Sequence, residues 1–251
     1  MFTSNEVPFS EIIAVPLPEK TDTYQPLSNL KQINMVKAAF ESRGFDLSGE
    51  RYGLSCKGKR MVSLLSWSHP DMVNQDMALF SATLNSYDKS TAAATALGAK
   101  VFVCENLCIS GDIKVVRRHT LNVVDDFEYL VEDAAEQALP MYVDLSKDLD
   151  LFKRVEIDQQ IGFHLMGEAH GLWGEKGAFL SPTQINSAVR AWKTPLHESF
   201  EDRNLWSWYQ ACNEALKKSP AHEILRRHAA LHKFTKSAVE VFGKDLLIAE
   251  E

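Results

Sequence analysis

The polar residues that could carry chemistry lie where three predicted strands end, between Ala78 and Thr120. These strands end in Asn-Ser-Tyr-Asp (85–88), in Cys-Glu-Asn (104–106) and in Arg-Arg-His (117–119). A polar group buried between strands must be hydrogen-bonded or serve a function. We therefore expect a site at these strand ends, formed by Asn85, Ser86, Asp88, Cys104, Asn106 and His119.

Thiol chemistry is the first alternative that this pattern raises. Cys104 and Cys108 are four positions apart, and a zinc site would need His119 or Cys56 as a further ligand. The spacing differs from a paired CxxC zinc knuckle, and the sequence has no second pair. No neighbouring residue marks Cys104 and His119 as a nucleophile and its base. The pattern favours two thiols at a strand end, and we expect no metal and no cofactor.

Two histidine clusters could also begin a metal site. His164 and Glu168 are four positions apart and share a helix face, whereas His170 does not quite join them. The last helix carries His222, His228 and His232 beside Arg226, Arg227, Lys233 and Lys236, a pattern that favours a solvated cationic face. No P-loop, GxGxxG, GxSxG or HExxH motif is present. The sequence favours a non-enzymatic protein, with a metal-dependent hydrolase built on His119 or His164 as an alternative.

The charge of the chain is unevenly distributed. The net charge is −7, yet residues 51–120 hold nine Lys or Arg against five Asp or Glu. A positive segment in an acidic protein indicates a surface for a polyanion, although edge strands also carry cations simply to prevent aggregation. We predict nucleic-acid contacts from Arg51, Lys57, Lys59, Arg60, Lys100, Lys114, Arg117 and Arg118.

Hydrophobic periodicity predicts the elements that position these residues. An extended, proline-spaced arm at 1–26 precedes a helix at 29–42. Strands are predicted at 51–56, 60–67, 77–85, 100–104 and 113–118, with a Lys57-Gly58 hairpin turn between the first two. Helices follow at 125–139, 146–168, 182–192, 204–218 and 222–242, and Ser181 to Gln184 form a capping box.

This order predicts an α+β protein with a mainly antiparallel sheet of about five strands (residues 50–120), an N-terminal helix and a helical C-terminal half. We expect a single domain over 1–251, comprising the arm at 1–26, helix plus sheet at 27–120 and the helical half at 121–251. No apolar run approaches the roughly 18 residues of a membrane span, and the N-terminus lacks a signal-peptide pattern. We therefore expect a cytoplasmic protein with free thiols and no membrane partner.

The strand-end motifs also resemble a family. Asn-Ser-Tyr-Asp-Lys-Ser (85–90), Lys-Val-Phe-Val-Cys-Glu-Asn-Leu (100–107), Arg-His-Thr (118–120) and Leu-Trp-Ser-Trp-Tyr-Gln-Ala (205–211) occur in the order seen in the phage/plasmid-like family of unknown function called domain of unknown function 932. That family has His and Gly where this chain has Tyr87 and Lys89. The resemblance spans about residues 45–235 and implies a mobile genetic element in a bacterial cytoplasm, without implying a reaction.

These observations lead to a hypothesis of function with two alternatives. The first is a phage- or plasmid-encoded accessory protein that binds nucleic acid, such as single-stranded DNA in recombination or replication. The second is a module that binds a host protein and inhibits a defence system through its acidic helices. The third is the metal-dependent hydrolase. Proteins that anneal single strands commonly form rings, so a homo-oligomer is compatible with the first.

Overall fold

The computed structural model describes residues 6–72, 77–101, 107–108, 114–172 and 178–243. The chain falls into two compact units, one made of Met1–Lys100 with Asp112–Val143 and the other of Val101–Gly111 with Asp144–Glu251. The first unit contains the sheet and the second is largely helical. The predicted α+β class with a mainly antiparallel sheet is confirmed, while the single domain stays a prediction.

The sheet of the first unit has the strand order β1-β2-β3-β4-β5, with β7 also paired to β5. Its strands are β1 (Glu6–Val7), β2 (Asp46–Ser55), β3 (Arg60–Ser68), β4 (Met77–Ser86), β5 (Ala93–Val101) and β7 (Lys114–Arg117), and β6 (Leu107–Cys108) belongs to the second unit. The pairs β1–β2, β2–β3, β3–β4 and β5–β7 are antiparallel. The turn between Ser55 and Arg60 is too short for the crossover that a parallel β2–β3 pair would need.

Helix α2 (Asn29–Glu41) packs against one face of the sheet. The Phe40 ring stacks on Trp67 with 4.6 Å between ring centroids, and the Trp67 indole donates a hydrogen bond of 3.0 Å to Ser81 Oγ. The Thr83 and Thr95 hydroxyls bond each other at 3.0 Å in the same interior. These hydroxyls satisfy one another, which allows a polar row to lie inside the sheet.

The extended-arm prediction is wrong for part of its range, because Phe9–Ala14 form helix α1. Pro8 precedes the first turn with an extended backbone, a position where its missing N–H and its fixed φ cause no loss. Ile12 is 1% exposed, and the Phe9 ring lies 5.0 Å from that of Tyr52. Burial of these apolar groups on the sheet stabilises a helix that is too short to form alone.

Helices α3 (Val123–Glu136), α4 (Ala138–Arg154) and α5 (Gln159–His170) replace the two helices predicted at 125–139 and 146–168. The long predicted helix is wrong because the chain is extended between Arg154 and Gln159. Ile157 N donates to Arg203 O at 2.9 Å, and Leu205 N donates to Val155 O at 2.9 Å. Asp158 then caps α5 by accepting from Ile161 N at 2.7 Å.

The second unit continues with α6 (Pro182–Lys193), a 3₁₀ turn at Glu198–Phe200, α7 (Leu205–Leu216) and α8 (Ala221–Phe242). The predicted capping box is confirmed, since Ser181 and Gln184 bond each other's backbone. None of the helices in the described ranges is both long and apolar enough to cross a membrane.

Candidate nucleic-acid interface

The register of the sheet brings most of the predicted cations to one end of it. Ser55 pairs with Arg60 across the β2–β3 turn, and Arg60 pairs with Ser86 at the end of β4. Ala93 at the start of β5 pairs with Arg117 at the end of β7. We call this end of the sheet the cationic end. It comprises Lys57, Lys59, Arg60, Lys89, Arg117 and Arg118.

Three of the predicted contacts lie elsewhere. Arg51 faces Leu64 in mid-strand, and its guanidinium donates to both carboxylate oxygens of Glu6 at 3.0 and 2.9 Å. Lys114 pairs with Ala96, and Lys100 is farther along β5, so both backbones lie away from the cationic end. The side chains of these two lysines are outside the described part of the structure.

The cations of this end differ in their partners. Arg60 Nε donates to Asp88 Oδ2 at 2.8 Å, and Arg117 Nε lies 3.8 Å from Asp126 Oδ2. Lys57, Lys59 and Arg118 are exposed, and none of them has an ion pair among the residues described. Lys89 is also exposed and has no ion pair among the described residues, so four surface cations of this end remain available to an anionic ligand.

Asp88 organises the loop that carries Lys89. Its Oδ1 accepts from Ser90 N at 3.1 Å, which closes a turn with Lys89 in the left-handed region at φ 60°. Partial burial raises the pKa of Asp88, but hydrogen bonds from Ser90 and Arg60 outweigh it and leave the pKa below its usual value. The ammonium of Lys89 lies 4.4 Å from the centroid of the Tyr24 ring, a cation–π contact.

Asn85 and Ser86 stabilise the base of this loop by hydrogen bonds. Asn85 Nδ2 donates to Leu27 O and to Asn29 Oδ1, both at 2.8 Å, and Asn85 Oδ1 accepts from Ser86 N at 3.0 Å. The Ser86 hydroxyl exchanges hydrogen bonds with the backbone of Thr91 at 2.8 and 3.0 Å. Their hydrogen-bonding groups hold the loop in place, so these two motif residues position the site.

His119 lies beneath the cationic end with both ring nitrogens unbonded. The residue is 8% exposed, and neither Nδ1 nor Nε2 has a hydrogen-bond partner among the described residues. Its ring centroid is 5.5 Å from that of Tyr24, whose buried hydroxyl also lacks a partner there. Burial lowers the pKa of His119, while the backbone of Gln25 partly opposes this shift.

The sequence did not single out Tyr24 or Lys89 as members of the site. Tyr24 is separated from His119 by 95 positions, and no local pattern links the two. Lys89 is adjacent to a motif residue, so its position after Asp88 was the available signal. Cys104 and Asn106, the remaining motif residues, lie outside the described residues.

The other predicted clusters do not form a ligand set. His164 Nε2 lies 3.0 Å from Glu168 Oε1 on the α5 surface, whereas His170 Nδ1 bonds Leu180 O at 2.8 Å. In the described ranges, no three His, Cys, Asp or Glu side chains are grouped closely enough to hold a metal ion. The free thiols described are Cys56, which is exposed, and Cys212, which is buried.

The interpretation of the last helix as a solvated face is wrong for His228 and His232. His228 and His232 are each 2% exposed. His232 Nε2 lies 3.1 Å from Asp148 Oδ2, and Lys236 Nζ lies 2.9 Å from the same oxygen. The 3.6-residue period placed these residues on α8. It could not show that the contact with Asp148 of α4 buries His232.

Comparison of the chain with models of protein families, with curated proteins and with solved structures gives no match. The resemblance to the phage/plasmid-like family therefore stays a prediction.

Proposed function

We propose that this chain is a non-enzymatic accessory protein that binds nucleic acid through the cationic end of its sheet. The observation that carries the proposal is the convergence of cations from three separate segments, the β2–β3 turn, the β4–β5 loop and the end of β7. Phosphates attract such clusters without regard to sequence, and this term supplies most of non-specific affinity. The mobile-element setting is the one that the family resemblance implies.

The covered aromatic rings favour contacts to the phosphate backbone. Tyr24 is 6% exposed and Tyr87 is partly covered, with its hydroxyl accepting from Asn29 N at 2.8 Å. Neither ring offers the open face that base stacking needs. We therefore expect binding that depends little on base sequence and strongly on salt, with single strands as the first probe.

The test compares binding of a labelled single-stranded oligonucleotide to two variants by fluorescence anisotropy. Changing Lys57, Lys59 and Arg118 to Gln removes three of the four cations at this end that have no ion pair among the described residues. We expect the affinity at about 50 mM salt to fall at least about tenfold and the slope of log K against log salt to flatten by about 2, since each phosphate contact on a single strand contributes about 0.7.

The matched control removes two exposed lysines of the second unit, Lys147→Gln with Lys218→Gln. This variant makes the net charge more negative by two while keeping every residue of the cationic end, so its affinity should stay within about twofold of the parent protein. A parent protein with no signal at about 50 mM salt, or a control that loses as much affinity as the triple variant, would refute the proposal.

A protein partner is the second candidate function, and the exposed face of α3 favours it. Tyr129 is 74% exposed among the exposed acids Glu128, Asp133 and Glu136. Exposed tyrosine is typical of protein interfaces. A pull-down from bacterial lysate discriminates the two candidate functions. A stoichiometric host protein that is lost with Tyr129→Ala favours an inhibitor that binds a host protein. Co-purified nucleic acid that is lost with the triple variant favours nucleic-acid binding.

A further inference from the structure

The buried imidazole beneath the cationic end lacks the partners that a structural histidine would have. Buried side-chain nitrogens are nearly always hydrogen-bonded, because an unsatisfied one loses its bonds to water without replacement. Within the described residues neither ring nitrogen of His119 makes a well-formed hydrogen bond, although the Gln25 backbone is close enough to affect the pKa of the ring. The hydroxyl of Tyr24 beside it has no partner there either. The His119 backbone, in contrast, is held, because Gln25 N donates to His119 O at 3.1 Å.

Two cations of the cationic end are placed to bring a bound polyanion near this ring. Arg118 precedes His119 in the chain. Lys89 lies over the ring of Tyr24, and that ring contacts the His119 imidazole. Other charged or titratable groups on the neighbouring segments include the Arg60–Asp88 pair, the Arg117–Asp126 pair, Asp22 on the turn that precedes Tyr24, and the hydroxyls of Tyr24 and Tyr87.

We propose that His119 is the proton-linked residue of this interface, which takes up a proton when nucleic acid phosphates occupy the cationic end. The inference rests on the proposed function and adds its regulation by pH. Phosphates bound at Arg118 and Lys89 attract an imidazolium at His119 directly and so favour its protonated form. Proton uptake and nucleic-acid affinity are then coupled reciprocally.

The sign of the coupling follows from burial. In the free protein the pKa of His119 is below its usual value, so the ring is neutral near neutral pH. Bound phosphate raises the pKa of His119. At pH values between the pKa of the free protein and that of the complex, binding is therefore accompanied by uptake of a proton. Affinity therefore rises as pH falls through this interval and levels off below the free pKa.

The experiment measures oligonucleotide affinity from about pH 8 to about pH 5.5 at constant ionic strength. We expect the parent protein to gain about tenfold, which corresponds to a one-unit rise in pKa on binding. His119→Gln should bind with a nearly flat pH profile. His164→Gln is the matched control, because His164 is 56% exposed on α5 of the second unit and its loss should leave the pH profile unchanged.

A second measurement does not depend on the folding of the His119 variant. Nuclear magnetic resonance titration of the assigned His119 ring in the parent protein should give a higher pKa with oligonucleotide than without it. An unchanged His119 pKa, or a His119→Gln profile as steep as that of the parent, would overturn the linkage while the binding proposal stands. No binding at any pH would overturn the proposed function and the linkage together.

Discussion

At the scale of single residues, Asp148 of α4 links the helices of the second unit. One of its carboxylate oxygens accepts from His232 Nε2 at 3.1 Å and from Lys236 Nζ at 2.9 Å, both on α8. Burial raises the pKa of Asp148, but these two hydrogen bonds outweigh it and hold the pKa below its usual value. A lowered folded-state pKa means that the ionised carboxylate favours the folded protein.

The variant Asp148→Asn should therefore lower the free energy of unfolding at about pH 7 by about 2 kcal/mol, because it removes the carboxylate that bonds the buried His232 ring and neutralises the Lys236 ammonium. Stability from a depressed carboxyl pKa is present above the unfolded pKa and is lost as pH falls through the folded pKa. The difference between parent and variant should accordingly shrink below about pH 4.

Urea unfolding at several pH values measures this difference. Asp150→Asn is the control, since Asp150 is 58% exposed and pairs with Lys153 on the same helix, an arrangement that contributes little. An Asp148→Asn penalty that persists undiminished at about pH 3 would show that shape, and not charge, accounts for it.

Residue types alone predicted which segments supply the candidate site, but not which cations remain available. Asn85, Ser86 and His119 were indicated by polar positions at the ends of apolar runs, a pattern visible in the sequence. The Arg51–Glu6 pair joins residues 45 positions apart, and nothing local in the sequence marks it. Ion pairing depends on the register of neighbouring strands, so the sequence could place Arg51 on a strand but could not assign its partner.

At the scale of elements, α5 and α6 pack closely because a glycine of α5 has no side chain at their contact. A Cβ added at Gly162 would lie 2.5 to 2.9 Å from three atoms of the Trp192 indole. The Gly162 carbonyl also accepts a 2.9 Å hydrogen bond from the Trp208 indole of α7. Three helices of the second unit therefore meet at this glycine.

Gly162→Ala should destabilise the protein by about 2 kcal/mol through overpacking, although alanine in a helix interior normally stabilises by about 1 kcal/mol. Thermal unfolding of Gly162→Ala, Trp192→Ala and the double variant measures the coupling. In the Trp192→Ala background the alanine should be neutral or favourable. An equal penalty in both backgrounds would mean that the indole is not the obstacle, and Gln160→Ala on the exposed side of α5 controls for helix propensity.

Elements with local signals were predictable, and elements defined by distant partners were not. The α6 start follows from Ser181, Pro182 and Gln184, which lie within one turn. The break between α4 and α5 depends on backbone hydrogen bonds to residues 203–205, about 48 positions away. The hydrophobic periodicity contains no sign of these bonds, so it predicted a continuous helix there. Strand β5 begins with Ala93 and Ala94, small residues with weak strand propensity, and its pairing with β7 determines its conformation.

At the scale of the whole molecule, the class of fold followed from the order of elements, but the division into units did not. Residues 101–111 belong to the second unit although they lie between β5 and β7 in the chain. A composition profile contains no boundary there, because no linker-like stretch of proline, glycine or serine marks it. Such a discontinuous unit is defined by contacts far apart in sequence, which periodicity does not report.

The net charge of −7 also acts over distances longer than any single contact. Exposed acids such as Glu128 and Glu136 on α3 repel a polyanion that approaches the cationic end. Their field extends over a screening length of about 30 Å at about 0.01 M salt and about 8 Å at about 0.15 M. Fields of this kind change association rates more than they change contacts in the complex.

The variant Glu128→Gln with Glu136→Gln removes two negative charges from α3. We expect the association rate constant for the oligonucleotide to rise about threefold at about 0.01 M salt, with little gain at about 0.15 M and an unchanged dissociation rate. Stopped-flow fluorescence measures both rates. Glu128→Asp with Glu136→Asp is the matched control, because it shortens the side chains but keeps their charges. A gain that is equal at both salt concentrations, or that the aspartate variant shares, would contradict long-range repulsion and would place the effect in local contacts of α3.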